Sequence, residues 1–283
     1  MIVMVFLCGL LAVLLAITGM SPKLQKYVIR WFRKSPQILL GIRVLPVVVA
    51  VLALIILVWF RDNLAFQIGV EVIFLLMLAG GAYVFDRFWI FRQPAANLRS
   101  YLVVAAHPGD IGYGCVATLA RLRDAGHQIH AIILTNGRSD DDDVNDLPEK
   151  TRSWAELIGC ATVVLGNIPV EQADHEVECI NRLIREQMEK HQPDVLLTHS
   201  LHDADAEHLL AAQAVMQIST HRQAVYGFRS IATTVEFNPT RSIPVGDYVD
   251  LKNYILRDYH GQDVQNAQQE DFEMIRSGLN ASL

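Results

Sequence analysis

Tyr101-Leu-Val-Val-Ala-Ala-His107-Pro108-Gly109-Asp110 is an apolar run that stops at a histidine and, three residues later, a carboxylate. A run of that length bounded by turn residues reads as a buried β-strand, and His followed by Asp at its end is metal-ligand chemistry. A second short apolar run, Asp194-Val195-Leu196-Leu197, leads into Thr198-His199-Ser200-Leu201-His202-Asp203-Ala204-Asp205-Ala206-Glu207-His208, which can supply a third ligand. Together the two strand ends point to a His/Asp/His zinc site.

Outward from these strands the pattern repeats. Strand-like runs at 101–106, 128–135, 162–165 and 194–198 alternate with helical patterns at 114–125, 149–158, 176–190 and 206–220. Such alternation predicts an α/β domain from residue 100 to about 262, a mostly parallel sheet flanked by helices. Three strands end in polar residues: His107 with Asp110, Thr135-Asn136-Gly137, and His199. Ligands of open α/β sheets bind beyond the carboxyl ends of the strands, so Asn136 and His199 are candidates to contact substrate. A dinucleotide reading fails, because Gly109-x-x-Gly112-x-Gly114 has the wrong order and places His107 and Asp110 where a pyrophosphate needs bare backbone.

Composition adds a second region. With 52% hydrophobic residues, the chain of 283 residues is more apolar than an ordinary soluble enzyme, and the excess lies in its first ninety residues. Ile2 to Met20, Ile38 to Phe60 and Leu64 to Phe85 each approach or exceed the roughly 20 residues that cross a bilayer as a helix. The first lacks the basic leader and the small-x-small cleavage site of a signal peptide. The expected organisation is three transmembrane helices in residues 1–90, a juxtamembrane linker in 91–99, and a soluble domain in 100–283 with a polar C-terminal tail. Lys23, Lys26, Arg30, Arg33 and Lys34 lie between the first two spans with no acidic residue, and Arg87, Arg92 and Arg99 follow the third. The positive-inside rule then puts the soluble domain on the cytoplasmic face and the N-terminus outside, in an integral membrane protein whose partner is the lipid bilayer. Glu71, within a span near its outer end, is either functional or reaches headgroups. The four cysteines show no disulfide or Cys-x-x-Cys spacing, and no basic stripe interleaved with aromatics suggests nucleic acid.

At residue level the soluble region resembles the LmbE-like, or PIG-L, family of N-acetylglucosaminyl deacetylases. Ala106-His107-Pro108-Gly109-Asp110-Ile111-Gly112-Tyr113-Gly114-Cys115-Val116-Ala117-Thr118-Leu119-Ala120 is similar to its Ala-His-Pro-Asp-Asp-Glu signature and continuation. Asp203-Ala-Asp205-Ala-Glu207-His208 is similar to its His-Pro-Asp-His element, and Glu236-Phe237-Asn238-Pro239, Tyr248-Val249-Asp250-Leu251 and Tyr259-His260-Gly261-Gln262 resemble its closing segment. The resemblance implies a zinc-dependent amidase on a Rossmann-like fold. Carried over, the ligands of one zinc ion are His107, Asp110 and His208, with an open position for water. The implied substrate is an N-acetylated amino sugar, lipid-linked in view of the anchor.

The departures are equally specific. The family's general base is Gly109 here, its motif glutamate is Ile111, and the histidine opening His-Pro-Asp-His is Asp205. Asp205 or Asp203 is therefore nominated as replacement base, with the Asp140 to Asp143 run as a further source. Other readings stay open: His107 and Asp110 as a hydrogen-bonded strand-end pair, Asp205 as a helix N-cap, and the whole protein as an impaired homologue that binds zinc or a sugar headgroup without turnover, or as a membrane partner without metal.

Overall fold

The structure is a computed structural model describing residues 2–60, 63–90, 94–137, 147–260, 269–278 and 283. The Asp140–Asp143 run, Gly261-Gln262 and part of the linker lie outside the described residues. The chain divides into two compact units, Met1–Phe91 and Arg92–Leu283.

The first unit is helical: α1 (Ile2–Gly19), α2 (Pro22–Trp31), α3 (Ser35–Trp59) and α4 (Leu64–Phe88). At about 1.5 Å per residue, the 25 residues of α3 and of α4 exceed a hydrocarbon layer of about 30 Å, whereas the 18 residues of α1 fall just short. Two helices are thus long and apolar enough to cross a membrane, and a third span exists if α1 and α2, bent by 77° at their junction, count as one. Sequence alone expects a loop at 21–37. Instead Pro22 at the helix start, with Leu24, Val28 and Trp31 on one stripe and Lys23, Lys26 and Arg30 on another, makes α2 an amphipathic helix.

Helices α1 and α3 run antiparallel with Gly9 against Ala53 and Gly19 against Ile42. A Cβ at Gly19 would lie 2.8 Å from Ile42, so glycine is what allows the backbones this close. Val5 packs with Ala53, Ile56 and Val70, and Cys8 and Ala12 with Val49 and Phe74, which seats α4 on the pair. Glu71 sits two helical turns into α4, deeper than sequence suggests.

The second unit is a seven-stranded sheet with order β3-β2-β1-β4-β5-β7-β6: β1 (Ser100–Ala105), β2 (Gln128–Thr135), β3 (Thr162–Ile168), β4 (Val195–His199), β5 (Ala224–Phe228), β6 (Arg241–Pro244) and β7 (Gln269–Arg276). The first five pair in parallel, and β7 runs antiparallel to both β5 and β6. The stretch expected as a polar tail is therefore an internal strand. Its Glu270 and Phe272 are buried by the two-residue alternation of the pleat.

Helices α5 (Asp110–Gly114), α6 (Val116–Asp124), α7 (Leu147–Ile158) and α10 (Val249–His260) pack together, with α6 on β2 and α7 on β3; α8 (Val177–His191) and α9 (Ala206–Ile218) form a second group against β1, β2 and β4. Leu102, Val104, Ile132, Leu134, Leu196 and Val225 meet Ile180, Ile184, Ala211 and Val215 in the α8/α9 core, and the alternate residues Tyr101, Val103 and Ala105 are buried as well. A sheet covered on both faces needs uninterrupted apolar strands, which is why β1, β2 and β4 read so clearly. The strand order reverses between β1 and β4, so the ends carrying His107 and His199 lie side by side at the switch point.

Candidate functional site

Beyond β1 the chain turns through His107-Pro108-Gly109 into α5. Gly109 is the helix N-cap with φ −80° and ψ −18°, a conformation open to any residue, so backbone geometry does not require glycine there. The Asp110 carboxylate folds back to accept the His107 backbone N–H at 2.6 Å, which fixes that carboxylate relative to the strand end. From β4 the chain reaches α9 through a loop whose last residue, Asp205, is the N-cap. Its Oδ1 accepts from the N–H groups of Glu207 at 3.0 Å and His208 at 3.3 Å, and the cap aims His208 back toward β1.

These two turns bring three donor groups to one point. His107 Nδ1 lies 3.2 Å from His208 Nε2 and 3.3 Å from Asp110 Oδ2, and His208 Nε2 lies 3.4 Å from Asp110 Oδ1. Donors held about 2.1 Å from one tetrahedral ion are separated by about 3.4 Å, so the residues fit a divalent metal of zinc's size. Burial alone would raise the Asp110 carboxyl, but His199, His107 and His208 outweigh it and hold it well below the usual range. Burial likewise works against charging His208, but Asp110 and Asp203 lift its pKa to about 10. Two carboxylates around one imidazole leave an excess of negative charge that a cation answers.

Asp203 and His199 occupy places other than those the sequence suggests. Nominated as a base, Asp203 has a fully buried side chain, with Oδ1 3.2 Å from His208 Nδ1 and accepting the Asp205 N–H at 3.0 Å, and Oδ2 accepting the Ser230 hydroxyl at 2.6 Å. A sealed carboxylate cannot take a proton from solvent water; its position behind His208 leaves Nε2 turned toward Asp110. His199, expected to touch substrate, is also fully buried. Its ring stacks on His208 with centroids 3.8 Å apart, and its Nε2 lies 3.0 Å from the Ala106 N–H and 3.2 Å from Asp110 Oδ2. Burial pushes its pKa down against the opposing pull of Asp110, and the ring packs on the cage from beneath. Asn136 stands at the end of β2, its amide nitrogen 3.2 Å from the carbonyls of Gly137 and Ile168 once oriented to donate. That local tie holds the half-buried side chain at the strand end.

Toward the opening, Asp205 and Glu207, both half-buried, stand with a ring nitrogen of His107 so that one ligand atom of each lies within 4.8 Å of the others. Burial works against ionising Asp205, but its hydrogen bond with Glu207, together with His208, lowers its pKa; the same hydrogen bond, then burial, raise that of Glu207. Nothing in the residue pattern around Glu207 assigns it a role. Its signal was the i, i+2 spacing from the N-cap, which puts both carboxylates on the first turn of α9. Ser230 and Thr233 were also missed; Ser230 donates to Asp203, and Thr233 Oγ1 accepts the Ser230 N–H at 2.7 Å. Such a local turn lies in a loop far downstream in sequence.

Residues 102–219 match the family model described as PIG-L, GlcNAc-PI de-N-acetylase. Over 152 residues, 51% of this chain and 82% of the other, the sequence is 30% identical to the uncharacterized deacetylase YaiS of Escherichia coli (strain K12). Among solved structures, the N,N'-diacetylchitobiose deacetylase of Pyrococcus horikoshii is similar with a TM-score of 0.53 and 13% identity, covering 62% of this chain and 84% of that one. The 4-carboxy-2-hydroxymuconate hydratase of Pseudomonas putida follows at 0.50 and 19%, covering 65% and 99%. At these identities the structural likeness establishes the fold, and that a deacetylase and a hydratase share it means the site must decide the chemistry.

Proposed function

The chain belongs to the PIG-L family of GlcNAc-PI de-N-acetylases, and from that premise we propose that it is a membrane-anchored, zinc-dependent N-deacetylase acting on an N-acetylated amino sugar that is lipid-linked, a reading supported by the bilayer length of α3 and α4. The observation that carries this reading is the triangle of His107, Asp110 and His208, with edges of 3.2 to 3.4 Å. These three residues would hold the ion, which when bound supplies Lewis acidity toward an amide carbonyl and makes water a better nucleophile.

The remaining work falls to side chains. Asp203 stands against the far nitrogen of His208, and His199 accepts the Ala106 N–H while its ring stacks on His208. Because Gly109 carries no acid, proton transfer falls to the pair at the head of α9. Asp205, beside His107 at the mouth of the cage, is the carboxylate placed to accept a proton from water, and its hydrogen bond with Glu207 is the route by which that proton passes on to the departing amine. The alternative, an impaired homologue that binds zinc or a sugar headgroup without turnover, is favoured by one observation: the base position itself is empty of any carboxylate.

Metal analysis of the detergent-purified protein with a free-amine assay on N-acetylglucosaminyl lipids tests the proposal. A positioned base contributes about 10²- to 10⁴-fold, so Asp205→Asn should cost that much. Gly109→Asp, at a φ/ψ that tolerates it, should raise the rate. A zinc-loaded protein that stays inert even as Gly109→Asp would establish the binding reading instead.

A further inference from the structure

We propose that the α2 end of the helical unit is a binding surface for anionic phospholipid headgroups, an inference that rests on reading α3 and α4 as membrane spans. The antiparallel register of α1 and α3 ends at Gly19 against Ile42, and α3 continues for seven more residues, Ser35 to Gly41, past the end of α1. From Val44 to Trp59 α3 has no polar side chain, so Arg43 marks where apolar helix gives way to polar layer. Its Nε lies 3.4 Å from the Gly19 carbonyl and its Nη2 3.2 Å from Gln25 Oε1, which ties the elbow between α1 and α2 at that level. Bent 77° from α1, α2 leaves the α1 direction for the plane of the membrane surface.

The far end of α2 is sewn to the end of α4. Arg33 N–H donates to the Phe88 carbonyl and Ile90 N–H to the Trp31 carbonyl, each at 2.9 Å, and Phe32 bridges Trp89. Trp31 stacks on Trp89 with centroids 5.8 Å apart and an interplanar angle of 5°, while Tyr27 and Phe85 pack on the same indole. This is the aromatic belt of an interface layer, held rigid. Around it Lys23, Arg33, Lys34, Arg43 and Arg87 are exposed, and Asp86 is the one acid among the described residues of 19–43 and 83–90. Arg30 is buried against Trp31 and belongs to the platform rather than to the charged rim. Opposite, where α3 ends and α4 begins, Trp59, Phe60, Asn63 and Leu64 offer no cation among the described residues. Cations set around aromatic rings at the polar border of apolar helices match a phosphate headgroup whose acyl chains run down the helices.

The test uses the full chain in nanodiscs of phosphatidylcholine with and without phosphatidylglycerol, counting lipids retained by native mass spectrometry. Retention of phosphatidylglycerol over phosphatidylcholine is expected, falling about fivefold for each cation removed in a Lys23→Gln, Arg33→Gln, Lys34→Gln variant. Restoring charge with Lys23→Arg, Arg33→Lys and Lys34→Arg should restore it. Equal retention of the two lipids, or retention indifferent to the glutamine variant, would mean that these cations set topology alone and would overturn the proposal. So would competition by inorganic phosphate, which would make this a site for a bare anion. A chain that stays soluble and monodisperse without detergent or nanodisc would instead sink the membrane reading beneath it.

Discussion

Asp203 stands behind His208 with its oxygens taken up by Ser230 and Asp205, so the cage depends on a residue outside the three candidate ligands. His107 and Asp110 were legible because one strand end carries both, and His208 because its helix start resembles a known motif. The place of Asp203 behind His208 was not, since it depends on Ser230 and Asp205 closing around it. Replacing Asp203 with alanine should weaken zinc affinity about 10- to 100-fold without removing a ligand, as loss of a ligand's supporting carboxylate does. Asparagine, which still offers an oxygen to Nδ1, should recover part of that loss, and competitive chelator titration reads both. The protonation of His208 sets a second expectation. With a pKa raised to about 10, its imidazole is charged at neutral pH in the metal-free protein and must shed that proton to coordinate. Zinc uptake near pH 7 should therefore release about one proton from His208, and affinity should climb with pH until about 10. Calorimetry in buffers of different ionisation enthalpy measures the proton count; a binding enthalpy independent of buffer would contradict the assignment.

Among the elements, the first four parallel strands declared themselves, whereas β5, only five residues long with Gly227 inside it, and the antiparallel β6 and β7 did not. β1, β2 and β4 are buried on both faces and so nearly pure in apolar residues, whereas β6 is Arg-Ser-Ile-Pro and β7 alternates charged residues with Phe272 and Met274. The strength of β7 lies in one partner invisible to spacing. Glu270 accepts the Ala117 and Thr118 N–H groups at the start of α6, at 3.2 and 2.7 Å, and pairs with buried Lys252 at 2.7 Å. Lys252→Met leaves that carboxylate buried with its charge uncompensated and should cost about 3–5 kcal/mol in chemical denaturation. Pairing it with Glu270→Gln should restore part of the stability, because the charge goes while the amide oxygen can still accept from α6. The helix α2 is hard to read from sequence because it is only ten residues long and half polar, so its apolar stripe is carried by Leu24, Val28 and Trp31 alone.

At the scale of the whole molecule, two helices of bilayer length precede a mixed sheet, and the expected arrangement puts 21–37 and the soluble unit on the cytoplasmic side. Cysteines introduced at Lys23 and at Lys190 should both resist an impermeant maleimide on intact cells and both react after permeabilisation. Labelling of either from outside would reverse or break that topology. The strand order carries a consequence in time. β7 stands between β5 and β6, yet 40 residues separate Phe228 from Gln269. During synthesis β6 emerges before β7, its neighbour in the sheet among the described residues. At roughly 5–20 residues per second, the rim of β5 waits uncovered for about 2–8 s, long enough to recruit a chaperone or a neighbouring nascent chain. Nascent chains ending between residues 245 and 268, held clear of the ribosome by an added unstructured linker, should therefore crosslink to chaperones more strongly than chains carried through residue 283 on the same linker.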